Sequence, residues 1–166
     1  MLLCLAWLMG SSAWGGELGM ARADVPAFPG AEGFGAFAVG GRGGAVLFVD
    51  NLNDAGPGSL RAAIEATGPR TVIFRVGGTI DLSSSLIVRS PYLTIAGQTA
   101  PGGGIALKRG TLRIGTHDVI VRGLRVRPGD EQPGGTPPTQ RDAIGLSGGY
   151  KGQDVYNVII DHCSLS

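Results

Sequence analysis

Short apolar runs, separated by glycine, proline and small polar residues, dominate the chain from Ala45 onward. Most runs span three to six residues and are rich in β-branched side chains, a composition typical of strands. Val72–Phe74 and Val158–Ile160 are apolar at every position, which favours parallel sheets buried on both faces. The pattern predicts strands at Ala45–Val49, Thr71–Val76, Thr79–Leu82, Leu86–Val88, Leu93–Ala96, Ile105–Leu107, Thr111–Ile114, Val119–Val126, Ala143–Leu146 and Val158–Leu165.

One segment between the first two strands has a helical pattern instead. Ser59 is a suitable N-cap for a helix over Leu60–Ala66, and Gly68-Pro69 ends it. The apolar residues that share one face of this helix are Leu60, Ala63 and Ile64. Because the helix precedes the repeated strands, we expect it to cover the open apolar end of a solenoid.

Three segments repeat one pattern of a polar or turn residue, a β-rich core and a small or polar corner. They are Tyr92–Gly97, Asp118–Gly123 and Asn157–His162. Their cores begin at positions 93, 119 and 158, and an inserted loop over Pro128–Arg141 accounts for the longer second interval. A period of about 25 residues with three short strands per repeat favours a parallel β-helix over the competing β-sandwich. A corner is expected between Ile160 and Leu165 if both face the core.

Composition supports a folded chain. The 166 residues include 30 glycines and 10 prolines, but 43% are apolar and only 16% are charged, which argues against disorder. The formal net charge of +1 argues against a nucleic-acid partner. The glycine-rich stretch Asp24–Gly44 predicts irregular backbone that lies close to its neighbours.

The N-terminus resembles a secretory signal peptide. Leu2–Met9 is apolar but too short to span a membrane, and Ala21-Arg22-Ala23 offers a cleavage site. No basic residue precedes Arg22, so an ordinary N-terminal extension is the alternative. The expected organisation is a signal peptide at 1–23 and a β-helix domain at 24–166 of a secreted protein. Cys163 is then the remaining thiol, predicted to be a small buried hydrophobe.

From Pro26 to Ser166 the chain resembles the extracellular pectate lyases. The segments that carry the resemblance are Phe28–Gly35, Gly40–Gly44, Asn51–Asp54, Gly56–Arg61, Gly78–Ile80, Thr94–Gly102, Arg127–Asp130, Asp142–Ile144 and Ile160–Ser164. Their order and spacing are more specific than any one of them. The resemblance implies a right-handed parallel β-helix with an N-terminal capping helix. It also implies cleavage of polygalacturonate, an acidic polysaccharide, by β-elimination with Ca²⁺ and an arginine base.

Elimination removes the C5 proton of a uronate beside its carboxylate, and a bound divalent cation offsets the negative charge that develops. Ca²⁺ suits this task because it takes hard oxygen ligands in flexible geometry. The resemblance makes Asp142 a calcium ligand, whereas a polar residue at the end of the inserted loop is the alternative. Gln140 stands where some members of the family carry a second acid.

Other charged residues are candidates for the cleft. The resemblance places Asp161 and His162 in an Asp-His strand motif, interpreted as a supporting hydrogen-bond network. Arg125 and Arg127 share a strand face and could bind uronate carboxylates, with a solvated face as the alternative. Asp130 and Glu131, in the Pro/Gly-rich loop, are interpreted as part of a hydrophilic loop.

The family's catalytic arginine and remaining calcium carboxylates are expected beyond Ser166. The chain is therefore expected to be the N-terminal part of a lyase, truncated at its C-terminus and inactive alone, whose full-length form is a monomer without a membrane partner. A non-catalytic β-helix polysaccharide-binding or surface protein is the alternative. A calcium-independent pectin lyase is a further alternative, disfavoured by Asp142.

Overall fold

The computed structural model describes residues 25–129, 142–148, 152 and 154–166. The expected signal peptide at 1–23 and the residues Asp130, Glu131 and Gln140 lie outside this part of the chain. Within the described ranges, no helix is long and apolar enough to cross a membrane. The elements are β1 Ala45–Val49, α1 Leu60–Glu65, β2 Arg70–Phe74, β3 Gly78–Asp81, β4 Leu86–Val88, β5 Leu93–Ala96, β6 Ile105–Lys108, β7 Leu112–Ile114, β8 Val119–Arg122, β9 Leu124–Arg127, β10 Ile144–Leu146, β11 Val158–Asp161 and β12 Ser164–Leu165.

The strands form three parallel sheets, which the chain visits in a fixed order. Sheet A has the order β1-β2-β5-β8-β11, sheet B β12-β9-β6-β3 and sheet C β10-β7-β4. Each turn passes from A to B to C and returns to A one layer along, with the right-handed sense that parallel crossovers take. The predicted right-handed parallel β-helix is therefore confirmed.

The predicted repeat has a direct structural counterpart. Leu93 of β5 pairs with Val119 of β8, which pairs with Val158 of β11. The residue before each of these strands has a positive φ, at Tyr92 (60°), Asp118 (54°) and Asn157 (49°). Asp and Asn tolerate this left-handed conformation better than most residues, so the polar start of the repeat marks a sharp turn into sheet A.

Two predicted strands are wrong in extent. Val119–Val126 and Val158–Leu165 are each divided by a corner, at Gly123 (φ 67°) and His162 (φ 50°). The chain turns there from sheet A into sheet B, and the corner expected between Ile160 and Leu165 is confirmed. Elsewhere the predicted ends differ by one or two residues at most.

A column of aliphatic side chains fills the centre of the solenoid. Ile80, Leu107 and Val126 occupy matching positions in β3, β6 and β9 and are inaccessible to solvent. The side chains between them point outward, so the strands alternate in the way that parallel sheets with one solvent-facing side require. Burial of each large aliphatic side chain contributes about 1.5–3 kcal/mol to folding.

Helix α1 covers the first layer of this core, as predicted. Leu60, Ala63 and Ile64 belong to the buried core, and the Ser59 hydroxyl accepts a hydrogen bond from the Ala62 amide at 3.2 Å. Arg70, whose structural role was not predicted, is buried beneath the helix and donates to the carbonyls of residues 63, 64, 68, 90 and 91. Its guanidinium thus satisfies carbonyls that the end of a helix leaves without partners.

The glycine-rich segment at residues 35–44, here called the strap, crosses the outside of sheet A. The Val39 amide donates to Asp118 Oδ1 at 3.0 Å, and the Gly41 amide donates to Thr94 Oγ1 at 2.9 Å. A Cβ on Gly41 would lie 2.0 Å from the Arg70 carbonyl oxygen, and one on Gly35 would lie 2.1 Å from that of Val158. The predicted close approach of backbone to backbone is therefore confirmed, and it requires glycine.

We expect Gly41→Ala to destabilise the fold by roughly 1–3 kcal/mol, because the added methyl group forces the strap off sheet A. The measurement is the urea midpoint at constant pH. Gly103→Ala is the matched control, since a Cβ at Gly103 meets no atom of the described residues within 4 Å. Equal midpoints for the two variants would contradict the close packing of the strap.

Candidate functional site

The Asp161 carboxylate organises the corner between sheets A and B. It ends β11 and pairs in register with Arg122 of β8, whose Nε donates to Asp161 Oδ2 at 2.7 Å. His162 Nδ1 lies 2.8 Å from Asp161 Oδ1, and the Arg122 guanidinium lies 3.9 Å from the centre of the Phe28 ring. The hydrogen bonds of the expected network around Asp161 and His162 are therefore present, while its role in a cleft stays a prediction.

Two opposing effects act on the Asp161 carboxyl. Burial raises its pKa, but hydrogen bonds from His162 and Arg122 lower it, and the net result is a pKa below the usual value. The charged form of Asp161 is therefore the one that the corner stabilises. Next to it, burial raises the pKa of the Cys163 thiol, which is only partly exposed and packs against the core. Cys163 is thus half-buried rather than buried as predicted, and a neutral, packed thiol suits its predicted structural role.

Arg125 and Arg127 both point outward from β9, as their spacing predicts. Arg127 donates to the Ser164 carbonyl at 2.5 Å and to the Ser164 hydroxyl at 2.7 Å. Arg125 is exposed and has no polar partner in the described part of the chain. It lines an open groove of about 470 Å³ at the corner between sheets A and B, together with Gly77, Gly78, Thr79 and the loop 101–104. Arg125 is thus available to an anion, whereas Arg127 is held by Ser164.

Asp142 lies at a different corner. It is exposed and stands two residues before β10, where the chain passes from sheet B to sheet C. The Leu112 amide donates to the carbonyl of the next residue, Ala143, at 3.1 Å, and this bond anchors the start of β10 on β7. The predicted site residues are therefore divided between two corners, with Arg125 and Asp161 at one and Asp142 at the other.

The separation of Asp142 from Asp161 limits how many described side chains could bind one metal ion. Among the residues whose positions are described, no group of three or more His, Cys, Asp or Glu side chains is arranged to hold a metal ion. Ca²⁺ takes six to eight oxygen ligands, of which Asp142 would supply one carboxylate. These residues alone do not fit a calcium site.

A second polar cluster, not predicted, lies at the turn into sheet A. Asp118 is almost fully buried, and its Oδ2 lies 2.8 Å from His117 Nδ1. The His117 ring stacks on Tyr156 with centroids 4.6 Å apart and meets the edge of Tyr92 at 5.4 Å. Because Asp118 also accepts from the Val39 amide, this cluster fastens the strap to the turns of three successive coils.

The amino-acid sequence of the chain is similar to those of known proteins. No family model matches the chain. The chain is 48% identical over 141 residues to proteins named "Probable pectate lyase C" from Aspergillus oryzae and Aspergillus fumigatus, a match that covers 84% of this chain and 30% of each relative. It is 32% identical over 148 residues to a "Pectate lyase" from Nicotiana tabacum, covering 82% of this chain and 36% of that protein. The chain thus spans about a third of the length of these curated relatives.

We expect the stability of the protein to fall as pH falls through the lowered pKa of Asp161. The stabilisation by the charged form is complete above the ordinary aspartate pKa of about 4 and is lost below the folded-state value. In Asp161→Asn this part of the pH dependence should be missing, so the stability difference from wild type should shrink on acidification. Urea midpoints between about pH 6 and pH 3 measure it.

The control for this experiment is Asp142→Asn in calcium-free buffer, since Asp142 is exposed and has no hydrogen-bond partner in the described ranges. It should keep the wild-type pH dependence. A stability difference between wild type and Asp161→Asn that stays constant with pH would contradict the role given to the Asp161 carboxylate.

Proposed function

Because this chain belongs to the pectate lyase family, we propose that the protein it represents cleaves polygalacturonate by calcium-assisted β-elimination. The observation that carries the proposal is the 48% identity that extends over 84% of the chain. The parallel β-helix supports it, because the aligned residues build stacked coils rather than an isolated motif. We propose further that this protein is secreted, with residues 1–23 as its signal peptide and residues 24–166 within its β-helix domain, and that it acts as a monomer.

The proposed substrate is an anionic chain, and the outer surface of the solenoid offers cations to it. Arg125 presents a guanidinium in a groove whose other walls are largely glycine backbone. A guanidinium matches the two oxygens of a carboxylate, which supports a role for Arg125 in holding a uronate residue. Arg127 would take a smaller part, since its donors are engaged by Ser164.

One described residue of this chain is a candidate ligand for the calcium ion. When bound, the ion supplies electrostatic stabilisation of charge beside the uronate carboxylate. Asp142 is proposed as one of its ligands, because an exposed carboxylate at a corner can reach outward from the solenoid. The other oxygens would come from outside the described residues, from the substrate or from water. Asp161 would support the neighbouring corner through its bonds to Arg122 and His162.

We also propose that the 166-residue chain has no lyase activity alone. The described residues offer one candidate calcium ligand, and none of the described arginines matches the catalytic motif of the family. The chain also spans about a third of the length of its relatives. With polygalacturonate and Ca²⁺ it should therefore produce no absorbance from unsaturated uronate ends.

A chimera tests the proposed function directly. The 141 aligned residues of the Aspergillus oryzae relative are replaced by those of this chain, and unsaturated product is followed by absorbance. We expect activity that depends on calcium and is abolished by a chelator. Asp142→Asn in the chimera should lower activity roughly tenfold or more at limiting calcium, because it removes a charged ligand.

The unmodified relative is the positive control, and Asp154→Asn, at another exposed aspartate, is the matched variant that should keep full activity. A folded chimera that binds polygalacturonate without cleaving it would contradict the lyase proposal and favour a binding protein. Calcium-dependent cleavage by the 166-residue chain alone would contradict its proposed inactivity.

A further inference from the structure

Sheet C presents an outer face on which one charged side chain stands out. Its inward residues at one level are Leu86, Leu112 and Ile144, which lie in register in β4, β7 and β10. The next residue of each strand points outward, and these residues are Ile87, Arg113 and Gly145. Arg113 is therefore the middle one of these three outward residues, between the apolar Ile87 and Gly145.

Arg113 is half-buried and has no hydrogen bond, ion pair or ring contact with any residue of the described ranges. Several other arginines of the solenoid are engaged, such as Arg61 with Asp54 and Arg122 with Asp161, whereas Arg125 has no described partner but is exposed. Arg109, at the B–C corner one coil below Asp142, pairs with Asp81. A guanidinium that loses part of its hydration without gaining a partner is an unfavourable arrangement unless a ligand completes it.

Gly145, next to Arg113 on this face, has no side chain that could cover the guanidinium. Its φ lies outside the left-handed region, so the backbone does not require glycine there. Among the described residues, a Cβ at this position would meet Arg113 Cγ and Thr111 Cγ2, each at an ordinary contact distance of 3.9 Å. The fold would therefore accept a side chain, and the glycine instead lets another molecule approach the sheet closely.

The surroundings suit an anionic chain. One coil below, a depression of about 200 Å³ is lined by Ile87, Arg89 and Ser90 with the end of helix α1. The exposed Asp142 borders the same face just before β10. An extended ligand lying along sheet C would thus cross an unpaired guanidinium and pass beside a carboxylate proposed to hold a cation.

We infer that Arg113 binds a uronate carboxylate of the polysaccharide on the outer face of sheet C, next to the residue held near Asp142. This inference rests on the proposed function and adds to it a substrate-binding residue on a face other than the Arg125 groove. Arginine suits the position better than lysine, because its planar fork binds both carboxylate oxygens.

The affinity of the 166-residue chain for trigalacturonate, measured by NMR titration with Ca²⁺ present, tests the inference. We expect Arg113→Ala to weaken binding about tenfold or more and Arg113→Lys to weaken it less, because lysine keeps the charge but loses the paired hydrogen bonds. Arg75→Ala is the matched control, since it removes the same charge from an exposed arginine at the A–B corner and should leave the affinity unchanged.

The Gly145 amide provides a second readout, because a ligand on Arg113 must lie over it. We expect its resonance to shift in wild type and not in Arg113→Ala, while the remaining amide spectrum shows that the variant is folded. Wild-type affinity in Arg113→Ala, or shifts at Gly102 and Gly103 with none at Gly145, would overturn the inference and leave the proposed function intact. Absence of binding by the wild-type chain would also overturn it, whereas failure of the proposed function is read separately from the activity of the chimera.

Discussion

The register between successive coils is the constraint on which the rest of the structure depends. Each inward aliphatic side chain stacks on the equivalent side chain of the neighbouring coil, as Leu93, Val119 and Val158 do in sheet A. Because side chains alternate along a strand, a slip of one residue would turn the whole apolar set outward. The same alternation decides which residues reach solvent, so the core specifies the surface. Arg113 and Gly145 are neighbours only because Leu112 and Ile144 pair beneath them.

The corners hold the polar clusters of the described chain. The left-handed residues at Asp118 and His162 turn the chain sharply. Each belongs to a polar cluster that bonds neighbouring coils together, through Asn157 to Asp118 and through Arg122 to Asp161. The strap adds a second fastening across sheet A through the Asp118 carboxylate. Charged side chains are consequently held at well-separated corners. An extended polymer that lies along the solenoid can contact such separated sites, whereas a compact ligand would require them to converge.

The sequence alone predicted the repeat, the parallel sheets and the capping helix well, because these follow from local patterns of apolar residues and turn signals. It did not predict the break at Gly123, since a strand that turns a corner keeps its apolar character, whereas a corner between Ile160 and Leu165 was expected and lies at His162. The sequence also did not predict which of the candidate residues lie close together in space. Arg125 and Asp142 are close enough in sequence to suggest one site, but they lie at different corners of the solenoid. The role of Arg70 depends on which carbonyls the helix brings over it, and no local pattern encodes that.

In the proposed arrangement, coil register assembles a carboxylate-binding face on sheet C beside Asp142. The most direct test is a crystal structure of the chimera grown with Ca²⁺ and trigalacturonate. We expect saccharide along the outer face of sheet C, with one uronate carboxylate within hydrogen-bond distance of the Arg113 guanidinium and a cation on the Asp142 carboxylate. Saccharide bound on another face, with sheet C bare and Arg113 in contact with solvent only, would contradict it.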